Sequence, residues 1–382
     1  MKHVLIPLLL LSFLLTACNA VAAPSTAVSE ATMSPEPWLP AQATPPTELP
    51  PLPPAAGEAG FTPEQAATLS SLKKVDDYPL YTMTYVASYG DRADSDVPGN
   101  LPQTALTAQR ACGAASWGCS LFAALGDPEN RLYGRNFDWQ FSPAVLLFTD
   151  PPDGYASVSM VDIAYLGFTG DRSKDLTERP LTERRALLDA PFLPFDGMNE
   201  KGLAVGMAAV LPGNMPSDPK KETIGELQAI REMLDHAATV DDAVAILGSY
   251  NIDMGSVPIH YLVASSSGDS ALVEFYKGEM HVFRNELPWQ HTTNFLLASV
   301  DGQPQGQCRR YDLIQERLSK LSGTLTSPDA MALLHDASQD NTQWSVVYHM
   351  TSGDLEVVMG RNYEEAAHTL HLELTARSAR GG

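Results

Sequence analysis

The chain has 382 residues, 44% of them hydrophobic, and a formal net charge of −21 from 46 acidic against 25 basic residues. That balance excludes nucleic-acid binding, which depends on lysine and arginine clusters, and disfavours electrostatic adhesion to anionic lipid. The four cysteines and nine histidines form no CxxC pair, no HExxH and no clustered set, so neither a metal site nor a cofactor is expected.

Lys2 and His3 precede an apolar run from Val4 to Leu15, which ends in Leu15-Thr16-Ala17-Cys18. Residues 1–17 read as a lipoprotein signal peptide, with Cys18 carrying the lipid anchor and the protein held outside the cytoplasm on the bacterial cell membrane or outer membrane. The run is short of the ~20 apolar residues of a spanning helix. A plain secretory signal, cut near Val21-Ala22-Ala23, is the alternative. Residues 18–60, with ten prolines between Pro24 and Pro54, cannot bury a core and read as an extended tether.

Residues 61–118 form an N-terminal piece. Thr62-Pro63-Glu64-Gln65 predicts a helix start, with Thr at the N-cap, Pro at the first helical position and Gln two residues on, and an amphipathic helix to about Val75. Tyr78 to Tyr89 alternates and is aromatic-rich, as a strand does; Gly90 to Ala111 is polar and reads as loop.

Cys119 to Leu125 and Arg131 to Trp139 then predict a β-hairpin turned at Gly126-Asp127-Pro128-Glu129-Asn130. Closure about Pro128 puts Cys119 opposite Phe137, with Arg135 and Asp138 within two residues of that pair. Strict alternation sends Arg135 and Asp138 to opposite faces, so bringing both to the sulfur calls for a strand end or a bulge near Asn136. Residue types alone also fit a small core cysteine beside a surface ion pair.

Downstream, Asn199-Glu200-Lys201-Gly202 reads as a hairpin turn, with Gly202 at positive φ and Leu203, Val205 and Met207 entering an apolar layer. Glu222 to His236 and Val240 to Leu247, the latter capped by Thr239, predict helices. Strands follow at Ile259 to Ala264, Ala271 to Tyr276 and Met280 to Phe283, then helices at about Gln307 to Leu321 and Pro328 to Ala337. A hairpin of Trp344 to His349 and Leu355 to Gly360 closes the chain. Strands and helices in blocks argue for antiparallel sheets covered by helices, an α+β fold, and the roughly 320 residues beyond the tether suffice for one large core.

The run GCSLFAALGDPENRLYGRNFDW from Gly118 to Trp139 resembles the start of the mature chain in the choloylglycine hydrolase and penicillin V acylase family of linear-amide hydrolases, within the N-terminal-nucleophile superfamily. Further matches come in order: Asp196-Gly197-Met198-Asn199-Glu200-Lys201-Gly202-Leu203-Ala204, Thr292-Thr293-Asn294, Arg309-Arg310-Tyr311 and Thr342-Gln343-Trp344-Ser345. The resemblance implies a four-layer αββα sandwich over residues 119–382 and cleavage before Cys119, which becomes both N-terminus and nucleophile.

A free α-amine has a pKa near 8, so it is partly neutral at pH 7 and can take the thiol proton without a histidine. An Arg135 cation at about 4 Å favours the thiolate by up to about 4 kcal/mol at an effective dielectric of 20, before desolvation. Asp138 is expected to orient the amine. The resemblance further assigns Asn294 to the oxyanion hole and Arg310, rather than Arg309, to the second arginine of the site.

One position departs from the family: Ala209 stands where many members carry asparagine or tyrosine. The resemblance to acid ceramidase-type relatives implies that residues 61–118 stay bound after cleavage. Cys112 and Cys308 are either a disulfide across the cut or two thiols, and a homo-oligomer stays open. The reading is a self-processing amidase acting on a small N-acyl amide through an acyl-thioester. Candidate substrates are N-acyl amino acids, bile-salt conjugates, phenoxyacetyl penicillins, N-acyl homoserine lactones and lipid-like amides. Its rivals are an acyltransferase of the same superfamily and an inactive lipoprotein binding module.

Overall fold

The first helix begins where capping chemistry says it should. In α1 (Pro63–Ser70) the Thr62 hydroxyl accepts from the Gln65 N–H, and the Gln65 side chain accepts from the Thr62 N–H. The helix stops short of Val75 because β1 (Lys73–Asp76) folds back as an antiparallel partner of β2 (Leu80–Tyr85). The computed structural model describes residues 60–90 and 118–374, apart from 211, 212, 214 and 256, all within the compact unit Pro40–Gly382. The signal peptide, Cys18, the tether to residue 59, the loop after Gly90, and Cys112 with its pairing to Cys308, lie outside the described residues.

The predicted hairpin forms from β3 (Gly118–Ala124) and β4 (Leu132–Asp138). After β5 (Ala144–Thr149) and β6 (Ser157–Asp162), short helical turns including α2 (Leu181–Arg184) lead to β7 (Pro194–Asn199) and β8 (Leu203–Ala209). The β7–β8 turn needs Gly202 at φ +70°, and any Cβ there would lie 2.3 Å from the Met350 carbonyl.

The helix predicted from Glu222 starts later, as α3 (Glu226–His236), because β9 (Thr223–Gly225) pairs in parallel with β10 (Asn251–Asp253) beyond α4 (Val240–Ser249). Then come β11 (Ile259–Ser265), β12 (Ser270–Tyr276), β13 (Glu279–Arg284), β14 (Trp289–Thr292), α5 (Arg309–Lys320) and α6 (Ser327–Ala337). The chain closes with β15 (Thr342–His349), β16 (Asp354–Met359) and β17 (His368–His371).

Among the described residues, one sheet has nine strands in the order β1-β2-β5-β6-β7-β8-β11-β12-β13, and the other has six in the order β14-β3-β4-β15-β16-β17. Their pairs are antiparallel except β2 with β5, which the chain reaches only after crossing to the other sheet through β3 and β4. Helices α3 and α4 cover the nine-stranded sheet and α5 and α6 the six-stranded one, while β3 packs on β8 and β11 between the sheets. The layers therefore run αββα, as the resemblance implied.

Period-two alternation divides β3 and β4 between two cores. Cys119, Leu121, Tyr133 and Phe137 enter the core between the sheets. Phe122, Ala124 and Leu132 enter the core beneath α5 and α6, against Ile314, Leu318 and Leu333.

Candidate active site

Cys119 is paired with Phe137 across the hairpin and Gly118 with Asp138. The β3–β4 register runs without a bulge through Asn136; of the two irregularities expected there, β4 shows the strand end, at Asp138, and the bulge falls instead on β15, between Thr342 and Trp344. Strict alternation therefore holds, and the two charged partners take opposite faces. Arg135 shares the thiol's face, whereas Asp138, the last residue of β4, lies on the helix side beside Gly118.

On the thiol's face, Arg135 Nη2 lies 3.7 Å from Cys119 Sγ and also donates to the Met207 carbonyl at 3.2 Å. Its Nη1 donates to the Phe195 carbonyl at 2.9 Å and to Asp196 Oδ2. The Asp196 carboxylate also accepts from Trp344 Nε1 at 3.3 Å and from the Tyr348 hydroxyl at 2.5 Å. Arg135 and Asp196 are both fully buried. Burial works against the guanidinium charge, but Asp196 and the thiol outweigh it and leave Arg135 more firmly protonated than usual. Burial likewise pushes the Cys119 thiol up, against the pull of Arg135. With its chain uncut, the site holds a neutral thiol next to a fixed cation.

On the opposite face, the Cys119 N–H donates to Asn294 Oδ1 at 2.8 Å. Arg310 Nη2 donates to the same oxygen at 2.8 Å, while its Nη1 donates to the Cys119 carbonyl and, at 2.9 Å, to Ser120 Oγ. Arg310 Nη1 also lies 3.7 Å from Asp138 Oδ2. Asp138 accepts from Gln339 Nε2 at 2.6 Å and from the Thr342 hydroxyl at 2.5 Å. A Cβ on Gly118 would come within 2.4 Å of Gln339 Nε2 and 3.1 Å of Asp138 Oδ2, so only glycine leaves these contacts undisturbed.

The five residues singled out in the sequence are thus linked in one chain of contacts, Asp138–Arg310–Asn294–Cys119–Arg135. Arg310 is buried in it, while the neighbouring Arg309 is exposed. Asn294 presents its oxygen to Cys119, and its Nδ2 donates to the Ala209 carbonyl at 2.8 Å. The departure at Ala209 therefore removes a side chain but keeps a backbone contact to the site. Asn199, read as structural, caps α3: its Nδ2 donates to the Leu234 and Ala237 carbonyls at 3.0 and 2.8 Å.

Beside the thiol, Phe137, Trp139, Met207, Ala209 and Ile259 wall an apolar cavity of about 20 Å³, room for about one water. Sequence reasoning missed Asp196, Gln339 and Thr342 as partners of the site. Asp196 lies in the quoted Asp196-Gly197-Met198-Asn199 run, where an acid in a buried apolar strand asks for a cationic partner.

The sequence model for linear amide C–N hydrolases, choloylglycine hydrolase family, matches residues 181–294. That stretch spans β7, β8 and α3 and ends on Asn294. Over that stretch the chain is similar to the choloylglycine hydrolase family. Over 199 residues, 47% of its own length and 50% of the relative's, the chain is 27% identical to a penicillin V acylase from Pectobacterium atrosepticum. It thus spans about half the length of that curated relative.

Among solved structures, it is similar to a penicillin V acylase from Agrobacterium tumefaciens, at 16% identity and a TM-score of 0.43, over 63% of this chain and 83% of the other. It is also similar to a variant of the conjugated bile acid hydrolase from Clostridium perfringens, at 15% identity and a TM-score of 0.46, over 66% and 92%.

Proposed function

We propose that the chain is a member of the choloylglycine hydrolase family and a self-processing cysteine amidase that hydrolyses the linear amide of a small N-acyl substrate. The observation that carries the reading is Cys119 itself: a buried thiol with an arginine 3.7 Å away on one face and a backbone nitrogen held by Asn294 on the other.

In the first step Cys119 Sγ attacks the Gly118 carbonyl and the C–N bond breaks, transferring the acyl group from nitrogen to sulfur. Water then hydrolyses the thioester, releasing the Gly118 carboxylate and the Cys119 α-amine. That amine, when neutral, takes the thiol proton. The thiolate attacks the substrate carbonyl, the leaving amine receives the proton, and water cleaves the acyl-thioester to the acid.

Arg135 stabilises the thiolate, and Arg310 holds the Cys119 carbonyl so that the sulfur and the new amine keep their places. Asp138, beside Gly118, orients the amine once it is formed. Asn294 supplies its second Nδ2 hydrogen to the developing oxyanion, the first being engaged by Ala209.

Retention of the N-terminal piece after cleavage is part of the proposal. Its strand β2 lies inside the nine-stranded sheet, the Tyr81 hydroxyl donates to the Ser173 carbonyl at 2.9 Å, and the Tyr85 hydroxyl donates to Leu188 at 2.9 Å. Export and anchoring at Cys18 belong to the same proposal; among the described residues no helix is long and apolar enough to cross a membrane.

The test is intact mass and N-terminal sequencing of the purified chain beside Cys119→Ala, followed by product analysis on N-acyl amides with and without an added amine. A new N-terminus at Cys119 and free acid product, both lost in the variant, are expected. An uncut, inactive wild type would overturn the reading, and acyl transfer to the added amine in preference to water would replace hydrolysis by transfer.

A further inference from the structure

Behind Asn294, and touching neither Cys119 nor the cavity, sits a fully buried His260–Glu274 pair on the neighbouring strands β11 and β12. Glu274 Oε1 accepts from the Leu297 N–H at 3.0 Å and Oε2 from the Ala298 N–H at 2.9 Å. His260 Nδ1 lies 3.1 Å from Glu274 Oε1. The other ring nitrogen, Nε2, lies 2.8 Å from the Thr293 carbonyl oxygen and 3.2 Å from Thr292 Oγ1. The pair therefore grips residues 292, 293, 297 and 298, on both sides of Asn294.

The chemistry of these contacts fixes the orientation of the ring. A carbonyl oxygen accepts only, so Nε2 must carry a proton to meet Thr293, with Nδ1 turned to Glu274. Loss of the Nε2 proton would turn a lone pair toward the Thr293 oxygen at 2.8 Å, and the strand end would have to move, carrying Asn294 with it.

We infer that His260, held between Glu274 and the Thr293 carbonyl, is a positioning residue that fixes Asn294 against Cys119. The role rests on the amidase reading, because Asn294 matters there for the oxyanion.

Other titratable groups face this pair. Tyr311 on α5 is pushed up to about 12 by burial, with Asp312 and Glu274 adding, and stays neutral near pH 7. His291 on β14, packed at a tilt against the Tyr311 ring, is pushed down to about 4 by burial and stays uncharged. His281 on β13 is in register with Glu274 but turns its Nε2 to the Tyr276 carbonyl at 3.3 Å. Arg310 reaches Asn294 from the other side.

The experiment is steady-state amide hydrolysis by wild type, His260→Leu, His260→Gln and the control His281→Gln, each checked for folding by thermal melt. His260→Leu, which cannot donate to the Thr293 carbonyl, should lower kcat about tenfold while KM changes less than threefold; His260→Gln, whose amide can donate, should recover to within about threefold of wild type, and His281→Gln should match wild type. A kcat within twofold of wild type in a folded His260→Leu, or no recovery in His260→Gln, overturns the inference. If His260→Leu does not fold, nitrogen NMR of histidine-labelled wild type decides: an Nε2–H on His260 supports the clamp and a bare Nε2 overturns it. Wild type inactive on every amide would refute the amidase reading, and the same NMR signal would then still decide whether the clamp exists.

Discussion

Replacing Asp196 by asparagine removes one charge from the best-buried ion pair of the site while leaving its shape almost intact. The amide oxygen can turn toward Arg135 and Trp344, and the amide nitrogen toward the Tyr348 hydroxyl, which can rotate to accept; every hydrogen bond of Asp196 thus finds a replacement. What is lost is the counter-charge of a guanidinium that is fully buried. Breaking a buried pair on one side costs about 3–5 kcal/mol, and with the hydrogen bonds kept the lower end applies, about 3 kcal/mol.

For a domain of roughly 320 residues that corresponds to a fall in Tm of roughly 4–5 °C. The assay is thermal unfolding of wild type and Asp196→Asn, matched for processing state by mass. A fall of less than about 2 °C would refute the argument, because Arg135 would then not depend on Asp196 for its charge. A double-mutant cycle with Cys119→Ala then tells whether the thiolate has taken over as counter-ion.

Arg135→Gln removes the cation at 3.7 Å from the thiol; alkylation of Cys119 by iodoacetamide at pH 8 should slow at least about tenfold, with an unchanged rate counting against thiolate stabilisation. Gly118→Ala should push the Gln339 side chain off Asp138, slowing self-cleavage in intact-mass time courses with only about 1 kcal/mol lost in urea melts; wild-type cleavage rates would show that this contact is idle.

Asp162, fully buried, is pushed up from 3.8 to about 7 by burial, only partly offset by hydrogen bonds from Ser142 and Ala164. A carboxyl raised in the fold binds its proton more tightly there than in the unfolded chain. Stability from this group is therefore present below about pH 4 and lost as pH rises to about 7. Asp162→Asn should gain Tm at pH 8 relative to pH 5; an equal change at both pH values refutes it. His291, pushed down to about 4 by burial, acts with the opposite sign, since its stability contribution is lost as pH falls from 6.5 toward 4. For that reason only the difference between wild type and variant isolates Asp162.

Local chemistry by itself determined a great deal. The Thr62 cap, the Gly202 turn, the register of Cys119 against Phe137 and the helices with a clear apolar stripe are written in neighbouring residues, because caps, turns and periodicity act over a few positions. The list of candidate site residues came from a resemblance in the order of motifs, since local chemistry alone also fits a small core cysteine beside a surface ion pair. The ends of α1 and α3 were not legible, because distant partners pull Lys73–Asp76 and Thr223–Gly225 into strands.

Only the tertiary structure decided what each site residue meets on its own face. Alternation along β4 parts Arg135 from Asp138, and the second sheet and α5 supply Asp196 and Arg310 to meet them. The partners that set charge at Cys119 lie as far as 191 residues away in the chain. A buried charge is satisfied by whatever the fold brings within a few ångströms, and no spacing in the sequence encodes that distance.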